Sequence, residues 1–194
     1  MKTYRLTAFT DGILAIIITI MVLELPLPHG RGLSALQPVA PLLGAYALSF
    51  VNIGIFWNNH HHLMAMVKKI DGRVLWANHF LLFWLSLVPF VIRWIGEAEL
   101  SAEPVAAYGA VLVMASGSYA LLERTILRVE GNGSPLAEAL GGGRKETLSF
   151  LIYAAAIPLA FLTVWASIAC YVAVATIWFR PDQRVEDKIK RNGE

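Results

Sequence analysis

Long apolar stretches run along this chain, and short segments between them carry most of its charged residues. A helix needs about 20 mostly apolar residues to cross the ~30 Å hydrocarbon core of a bilayer. The stretches reach that length, so the pattern predicts membrane-spanning helices. Four of them, each predicted to form one span, cover residues 6–25, about 42–66, 74–95 and 105–127.

The last apolar stretch, residues 147–179, is too long for a single span. As one helix it would measure ~50 Å, which exceeds the bilayer core. Two short spans joined by a turn near residues 163–167 fit better, because Trp165 would then lie at the headgroup level. The predicted fold is therefore an all-α membrane protein with six transmembrane helices per subunit.

The positions of lysine and arginine predict the orientation, because basic residues concentrate in cytoplasmic segments. With both termini inside, only Arg31 and Arg93 of the 16 basic residues fall toward the outside. A five-span arrangement would place the basic C-terminal segment outside, so the charge pattern favours six spans. The inside set is Lys2, Arg5, Lys68, Lys69, Arg73, Arg124, Arg128, Arg144, Lys145, Arg180, Arg184, Lys188, Lys190 and Arg191.

Composition excludes several other classes of protein. Residues are 57% hydrophobic and only 15% charged, and the formal net charge of +2 is too small to suggest nucleic-acid binding. The single cysteine, Cys170, excludes an intramolecular disulfide and a cysteine metal cluster. The first apolar run carries Asp11 near its start and ends in Glu24, Pro26 and Pro28, which argues against a cleaved signal peptide. Residues 1–180 are predicted to form one transmembrane domain, and 181–194 a short cytoplasmic polar tail.

The first predicted span carries an ionisable side chain, Asp11, near its cytoplasmic end. Such a group is costly in a membrane and marks a structural or functional site. It could be a buried carboxylate that holds helices together, or it could take a direct part in transport. At 100° per residue, Asp11 lies about 140° from Ile16 around the helix.

Ile16, Ile20 and Leu23 form one stripe along the first span, with Thr19 on its flank. Taken alone, an apolar stripe of this kind favours ordinary helix packing. If it lined a pore instead, Asp11 would point toward neighbouring helices of its own subunit.

Three consecutive histidines, His60 to His62, follow Trp57 in the second span. Consecutive helical side chains point about 100° apart, so the three cannot all reach one metal ion. A polar belt is the better interpretation, in which one or two histidines hydrogen-bond to Asp11 or Asn78. The predicted structural network comprises Arg5, Phe9, Thr10, Asp11, Trp57, His60, His61, Trp76 and Asn78.

Several of these residues also form a recognisable pattern. Arg5, Phe9, Thr10 and Asp11 resemble the R-x-x-x-F-S-D signature of the lysosomal potassium channel family and its prokaryotic six-span homologues. Further similarities are Trp57 with His60 and His61 (W-x-x-H-H), Trp76 with Asn78 (W-x-N), and Pro89-Phe90. The signature serine is Thr10 here, which keeps the hydroxyl and adds a methyl group. The resemblance is densest over residues 5–25.

This resemblance implies a potassium-permeable channel that assembles as a homotetramer with the first helix of each subunit lining a central pore. It implies that Ile16, Ile20 and Leu23 form the pore constriction and that Thr19 forms a polar selectivity layer. It also implies a multi-pass protein of the cell membrane that conducts potassium and other monovalent cations without a cofactor. The carbonyl filter sequence T-V-G-Y-G is absent from the chain.

Two other functions are weighed against a channel. A proton-coupled secondary transporter would use Asp11 and the second-helix histidines as a relay, but transporters are commonly built from internal repeats, and none is evident here. A non-transporting membrane scaffold would show no ion flux. An enzyme is not expected, because the chain carries no nucleophile elbow, phosphate-binding glycine loop or H-E-x-x-H sequence. Glu97, Glu99 and Glu103 either concentrate cations at the outer mouth or are solvated loop charges.

Overall fold

The computed structural model describes residues 3–30, 32–131, 136 and 144–179, and every regular element in this part is helical. The predicted polar tail and most of the loop before residue 144 lie outside the described residues. The elements are α1 (Thr3–Leu23), a 3₁₀ helix (Leu33–Val39), α2 (Ala40–Ala65), α3 (Gly72–Ser86), α4 (Val88–Glu97), α5 (Ala102–Glu130), α6 (Arg144–Ala160) and α7 (Val164–Phe179).

Within the described residues, four helical segments are long and apolar enough to cross a membrane. They correspond to the first four predicted spans, although the 3₁₀ helix extends the second toward its N-terminus. The segments are Thr3–Leu23, Leu33–Ala65, Gly72–Glu97 and Ala102–Glu130. The chain is therefore a multi-pass membrane protein that is all-helical throughout these described residues.

The third of these segments is not one continuous helix, because Pro89 interrupts it. Proline has no backbone N–H and its ring crowds the preceding turn, so a helix bends or restarts there. The backbone N–H of Leu87 instead donates to the Trp84 carbonyl at 3.2 Å, which closes a tight last turn of α3. α4 then begins at Val88 and continues the same span.

The last apolar stretch divides into two helices, as its length predicts. α6 ends at Ala160 and α7 begins at Val164, slightly before the predicted turn. The two helices are antiparallel: the Ser167 hydroxyl donates to the Ala156 carbonyl at 2.6 Å beside the turn. At the far end, the Trp178 indole N–H donates to the Ser149 hydroxyl at 2.7 Å. Each helix is ~25 Å long, close to the bilayer thickness.

Side-chain contacts define the two ends of the helix bundle. At one end the Thr3 hydroxyl donates to the Val67 carbonyl at 3.3 Å. The Glu130 carboxylate at the end of α5 accepts the backbone N–H groups of Lys68 and Lys69 at 2.7 and 2.6 Å. We call this end, which joins the start of α1, residues 66–71 and the end of α5, the basic end.

At the opposite end, Arg93 of α4 contacts the Glu24 carboxylate at 3.4 Å, just beyond the end of α1. Its Nε also donates to the Glu97 carboxylate at 2.9 Å. The acidic residues near Glu97 thus lie opposite the basic end, in keeping with the charge pattern of the sequence.

The centre of the bundle is α5, which packs against α3, α4, α6 and α7. Gly109 is required for its close approach to α7, because a Cβ atom there would meet the Tyr171 hydroxyl and lie 3.2 Å from Ile157 Cγ1. That hydroxyl is held in place, since it donates to the Val105 carbonyl at 2.8 Å. The glycine therefore allows α5 and α7 to pack closely.

Gly109→Ala is expected to destabilise the bundle by about 1–3 kcal/mol, because the added methyl group overpacks a tightly filled contact. Gly117→Ala is the matched control on the same helix, since its Cβ would meet Phe150 at an ordinary 3.7 Å. That control should be neutral or slightly stabilising, because alanine favours a helix. Thermal unfolding in detergent measures both, and equal melting temperatures for the two variants would contradict the packing argument.

Candidate functional site

One face of α1 is buried against the rest of the bundle. Its buried residues recur every three or four positions, as expected for one side of a helix. They include a single polar side chain, Thr10, among apolar ones. The buried set is Leu6, Thr10, Leu14, Ile17 and Met21.

The predicted stripe on α1 lies on a different face and is exposed. Ile16, Ile20 and Leu23 keep 58%, 40% and 75% of their surface uncovered by the chain. Thr19 is also exposed, and its hydroxyl donates to the Ala15 carbonyl at 2.7 Å. Because the hydroxyl proton is used within the helix, the lone pairs of the Thr19 oxygen remain free to face outward. A single chain thus presents an apolar stripe with one oxygen layer beside it.

Three predicted network residues form a continuous chain of hydrogen bonds in the buried interior. The Asn78 side-chain N–H₂ donates to the Thr10 hydroxyl at 3.0 Å. The Asn78 carbonyl oxygen lies 2.9 Å from His60 Nε2, so that nitrogen is the donor. All three side chains are almost completely buried. The chain joins α1, α2 and α3 through groups that must find partners away from water.

Asp11 has a different partner from the predicted histidines. Its carboxylate accepts the indole N–H of Trp57 at 2.9 Å, and the Trp57 ring stacks on His61 with ring centres 5.6 Å apart. Asp11 is exposed in the single chain, although it points away from the stripe as the helix geometry predicts. The predicted network is therefore separated into two parts, one buried and one at the chain surface.

The remaining predicted residues lie near these groups without direct hydrogen bonds to them. Phe9 and Trp76 both flank the ring of His79, at 5.2 and 5.9 Å between ring centres. Arg5 is exposed and forms no ion pair with any residue that the structure describes. Their placement leaves Arg5 and Asp11 as two charged side chains on the outer surface of one subunit.

A second buried polar cluster, which the sequence analysis did not identify, lies between α2, α5 and α6. The Ser49 hydroxyl and the Asn52 side-chain N–H₂ donate to the Tyr108 hydroxyl at 2.9 and 3.1 Å. The Tyr153 hydroxyl donates to the Asn52 carbonyl oxygen at 3.3 Å. The only sequence signal for it was the spacing of three between Ser49 and Asn52, which places both on one helix face.

Comparison with known proteins identifies relatives along the whole chain. Residues 5–89 match the family described as "Endosomal/lysosomal potassium channel TMEM175". A potassium channel of Chryseobacterium sp. (strain P1-3) is 49% identical over 188 residues, which cover 97% of this chain and 98% of that protein. A potassium channel of Streptomyces collinus is 32% identical over 117 residues, covering 56% of this chain and 57% of that protein.

The fold also has a solved counterpart. The crystal structure of a lysosomal potassium-selective channel TMEM175 homolog from Chamaesiphon minutus superposes with a TM-score of 0.74. It covers 91% of this chain and 95% of that one, at 23% sequence identity. At that identity the similarity establishes a shared helical fold.

Proposed function

The chain belongs to the TMEM175 family, whose description and bacterial relatives are those of ion channels rather than enzymes, and we propose that it forms a potassium-permeable channel. The observation that carries the proposal is the stripe on α1. Its apolar side chains are exposed in a single subunit, and a single oxygen layer from Thr19 lies beside them. A second copy of the chain would cover this stripe, and several copies around an axis would make it the lining of a pore.

A pore lined by one helix per subunit requires several subunits around an axis. We propose a homotetramer in which α1 of each subunit faces the axis. The exposed Arg5 and Asp11 support assembly, because charged groups at membrane depth need partners or water. An adjacent subunit would supply a partner for Arg5 and a second one for Asp11, whose bond to Trp57 leaves its charge without a cation among the described residues.

The apolar stripe supplies the gate in this proposal. A narrow ring of Ile16, Ile20 and Leu23 has no hydrogen-bonding groups, so it excludes water until it widens. An ion that crosses must shed part of its hydration shell, which costs less for potassium than for sodium. Thr19 oxygens beside the ring compensate part of that cost. Selectivity is expected to be modest, because no cage of carbonyl oxygens replaces the hydration shell.

The outer mouth would be formed near Glu24, which immediately follows the stripe. Arg93 partly neutralises this carboxylate and also pairs with Glu97. This ion pair links the end of α1 to α4 at the surface of the subunit. Of the acidic residues at this end, Glu97 thus serves as an ion-pair partner of Arg93.

We further propose six spans, with the basic end and both termini in the cytoplasm and the protein in the cell membrane. The antiparallel α6–α7 hairpin supports this count, since it returns the chain to the basic end beside Ser149. The basic residues near Lys68 and Lys69 support the orientation.

Cysteine labelling in intact cells tests the topology. In a chain without Cys170, single cysteines at positions 31 and 99 are expected to react with an impermeant reagent. Those at positions 69, 144 and 190 should react only after the membrane is permeabilised. Labelling of position 190 from outside would contradict six spans. It would mean that α6 and α7 do not each cross the membrane.

The channel itself is tested by recording purified protein in planar bilayers with potassium on one side and sodium on the other. Discrete unitary currents with a reversal potential that favours potassium are expected. A slow, saturating flux without unitary currents would instead indicate a transporter, and absence of flux would indicate a scaffold.

A further inference from the structure

A groove between α3 and α5 opens at the basic end of the bundle, on the opposite side of α3 from the buried His60–Asn78–Thr10 chain. It is an open groove with a volume of ≈ 390 Å³. Its walls combine two guanidinium groups with apolar and aromatic side chains, and the residues that matter here are Arg73, Trp76 and Phe80 on α3 and Leu121, Thr125 and Arg128 on α5.

The two helices present these residues in the same order from the end of the bundle inward. α3 begins and α5 ends at the basic end, and Arg73 and Arg128 both line the groove there. Phe80 lies seven residues after Arg73 on α3, and Leu121 lies seven residues before Arg128 on α5. Both are therefore ~10 Å deeper in the bundle. A polar entrance thus leads to an apolar wall, and both are built from side chains on one face of each helix.

The arginines are available to bind an anion. Both side chains are exposed, and neither forms an ion pair with the residues that the structure describes. The nearby carboxylates are engaged with backbone groups. Asp71 accepts the N–H groups of Arg73 and Val74, and Glu130 accepts those of Lys68 and Lys69.

The apolar side chains of the groove are exposed, whereas a soluble protein would bury most such side chains. Trp76 keeps 78% of its surface exposed, and Phe80 and Leu121 keep 42% and 44%. An indole ring one turn inside an arginine is typical of the membrane interface, where the ring lies at the headgroup level. Acyl chains would fill the space beside Phe80 and Leu121.

We propose that this groove is a binding site for an anionic phospholipid of the leaflet at the basic end. The headgroup phosphate would bind the guanidinium groups of Arg73 and Arg128. The acyl chains would lie along Trp76, Phe80 and Leu121. Basic pockets between transmembrane helices are suited to such headgroups, and the order of charge and apolar surface favours a lipid over a free inorganic anion.

Native mass spectrometry of the purified full-length protein tests the site with phosphatidylglycerol and phosphatidylcholine of identical oleoyl chains. Two arginines near the surface are worth about 1 kcal/mol each, so wild-type protein should favour phosphatidylglycerol about 30-fold. Arg73→Gln/Arg128→Gln should reduce that preference to about threefold or less. Arg124→Gln is the matched control: it removes an exposed arginine from the same helix that does not line the groove.

Two further measurements distinguish a lipid from a free anion. Inorganic phosphate at millimolar concentration should not displace dioleoyl phosphatidylglycerol, and the dihexanoyl form should bind more weakly because it lacks the longer apolar contact. Thermal melting of the double variant establishes that it is folded. The proposal is overturned by an unchanged preference in the folded double variant, by an equal loss in Arg124→Gln, or by displacement with phosphate. None of these readouts depends on ion conduction, so the channel proposal is tested separately.

Discussion

Ile16→Asn is expected to raise single-channel conductance about tenfold, which corresponds to a barrier lower by about 1.4 kcal/mol. Ile16 is 58% exposed at the N-terminal end of the stripe on α1. In a tetramer, four amides would replace four apolar side chains at one level of the pore, and they would hold water where the native ring excludes it. The preference for potassium over sodium should fall, because ions would no longer shed water at an apolar wall.

Val22→Asn is the matched control for this substitution. Val22 is an exposed apolar residue of the same helix, 45% uncovered, but it lies about 120° around the helix from Ile16. The same change of side chain is therefore made off the stripe, and conductance should remain near the wild-type value. If Val22→Asn opened the channel as strongly as Ile16→Asn, the effect would come from general loosening of α1 rather than from wetting of a ring.

Thr19→Ala separates the oxygen layer from the apolar ring. The Thr19 hydroxyl bonds to the Ala15 carbonyl, so its removal takes away outward lone pairs without exposing a new apolar contact. Potassium preference should decrease, while closure at Ile16 is kept. Reversal potentials under bi-ionic conditions measure the change. If Ile16→Asn and Thr19→Ala both left conductance and reversal potential unchanged, α1 would not line the pore, even though the family membership stands.

Hydropathy predicted the long helices of this fold well, because each apolar stretch had to match the bilayer thickness. Length alone also predicted the division of residues 147–179, and the observed break before Val164 lies just ahead of the expected turn. The bend between α3 and α4 was not predicted, although Pro89 was visible in the sequence. A proline in a spanning helix can be accommodated by a kink or by a restart, and neighbouring helices decide between them.

The pairing of polar side chains was less predictable than their depth. Thr10, His60 and Asn78 were expected at one level, and they are linked there. A histidine was expected to hydrogen-bond to Asp11 or Asn78, and His60 does so with Asn78, whereas Asp11 accepts its hydrogen bond from Trp57. Which side chain bonds to Asp11 depends on the rotation of α2 relative to α1. The sequence alone does not specify that rotation.

These pairings also bear on the transporter alternative. A proton relay between Asp11 and the second-helix histidines requires titratable groups in contact with one another. In the structure, Trp57 lies between Asp11 and His61, and an indole N–H does not exchange protons at ordinary pH. His60 is bonded to the neutral side chain of Asn78. The geometry therefore favours structural roles for both parts of the network, and the family relationship favours a channel.

Asp11→Ala and Asn78→Leu are expected to damage the protein at different levels, because one residue is at the surface of the subunit and the other is in its core. Asn78→Leu leaves the buried His60 Nε2–H and Thr10 hydroxyl without their partner, which should cost the subunit about 1–3 kcal/mol per unsatisfied group. Asp11→Ala leaves only the accessible Trp57 indole N–H without an acceptor. The subunit should stay folded, while the proposed tetramer would lose a carboxylate that an adjacent subunit contacts.

Two measurements separate these outcomes: thermal unfolding of the subunit and the fraction of tetramer by size-exclusion chromatography with light scattering. Asn78→Leu should lower the melting temperature at any concentration of protein. Asp11→Ala should instead shift the tetramer toward smaller species, and Asp11→Asn should be intermediate because it keeps an acceptor for Trp57 and loses only the charge. Residual Asp11→Ala tetramers should conduct with wild-type selectivity, since this side chain points away from the stripe. A fully tetrameric Asp11→Ala protein with wild-type currents would show that the carboxylate serves neither assembly nor gating.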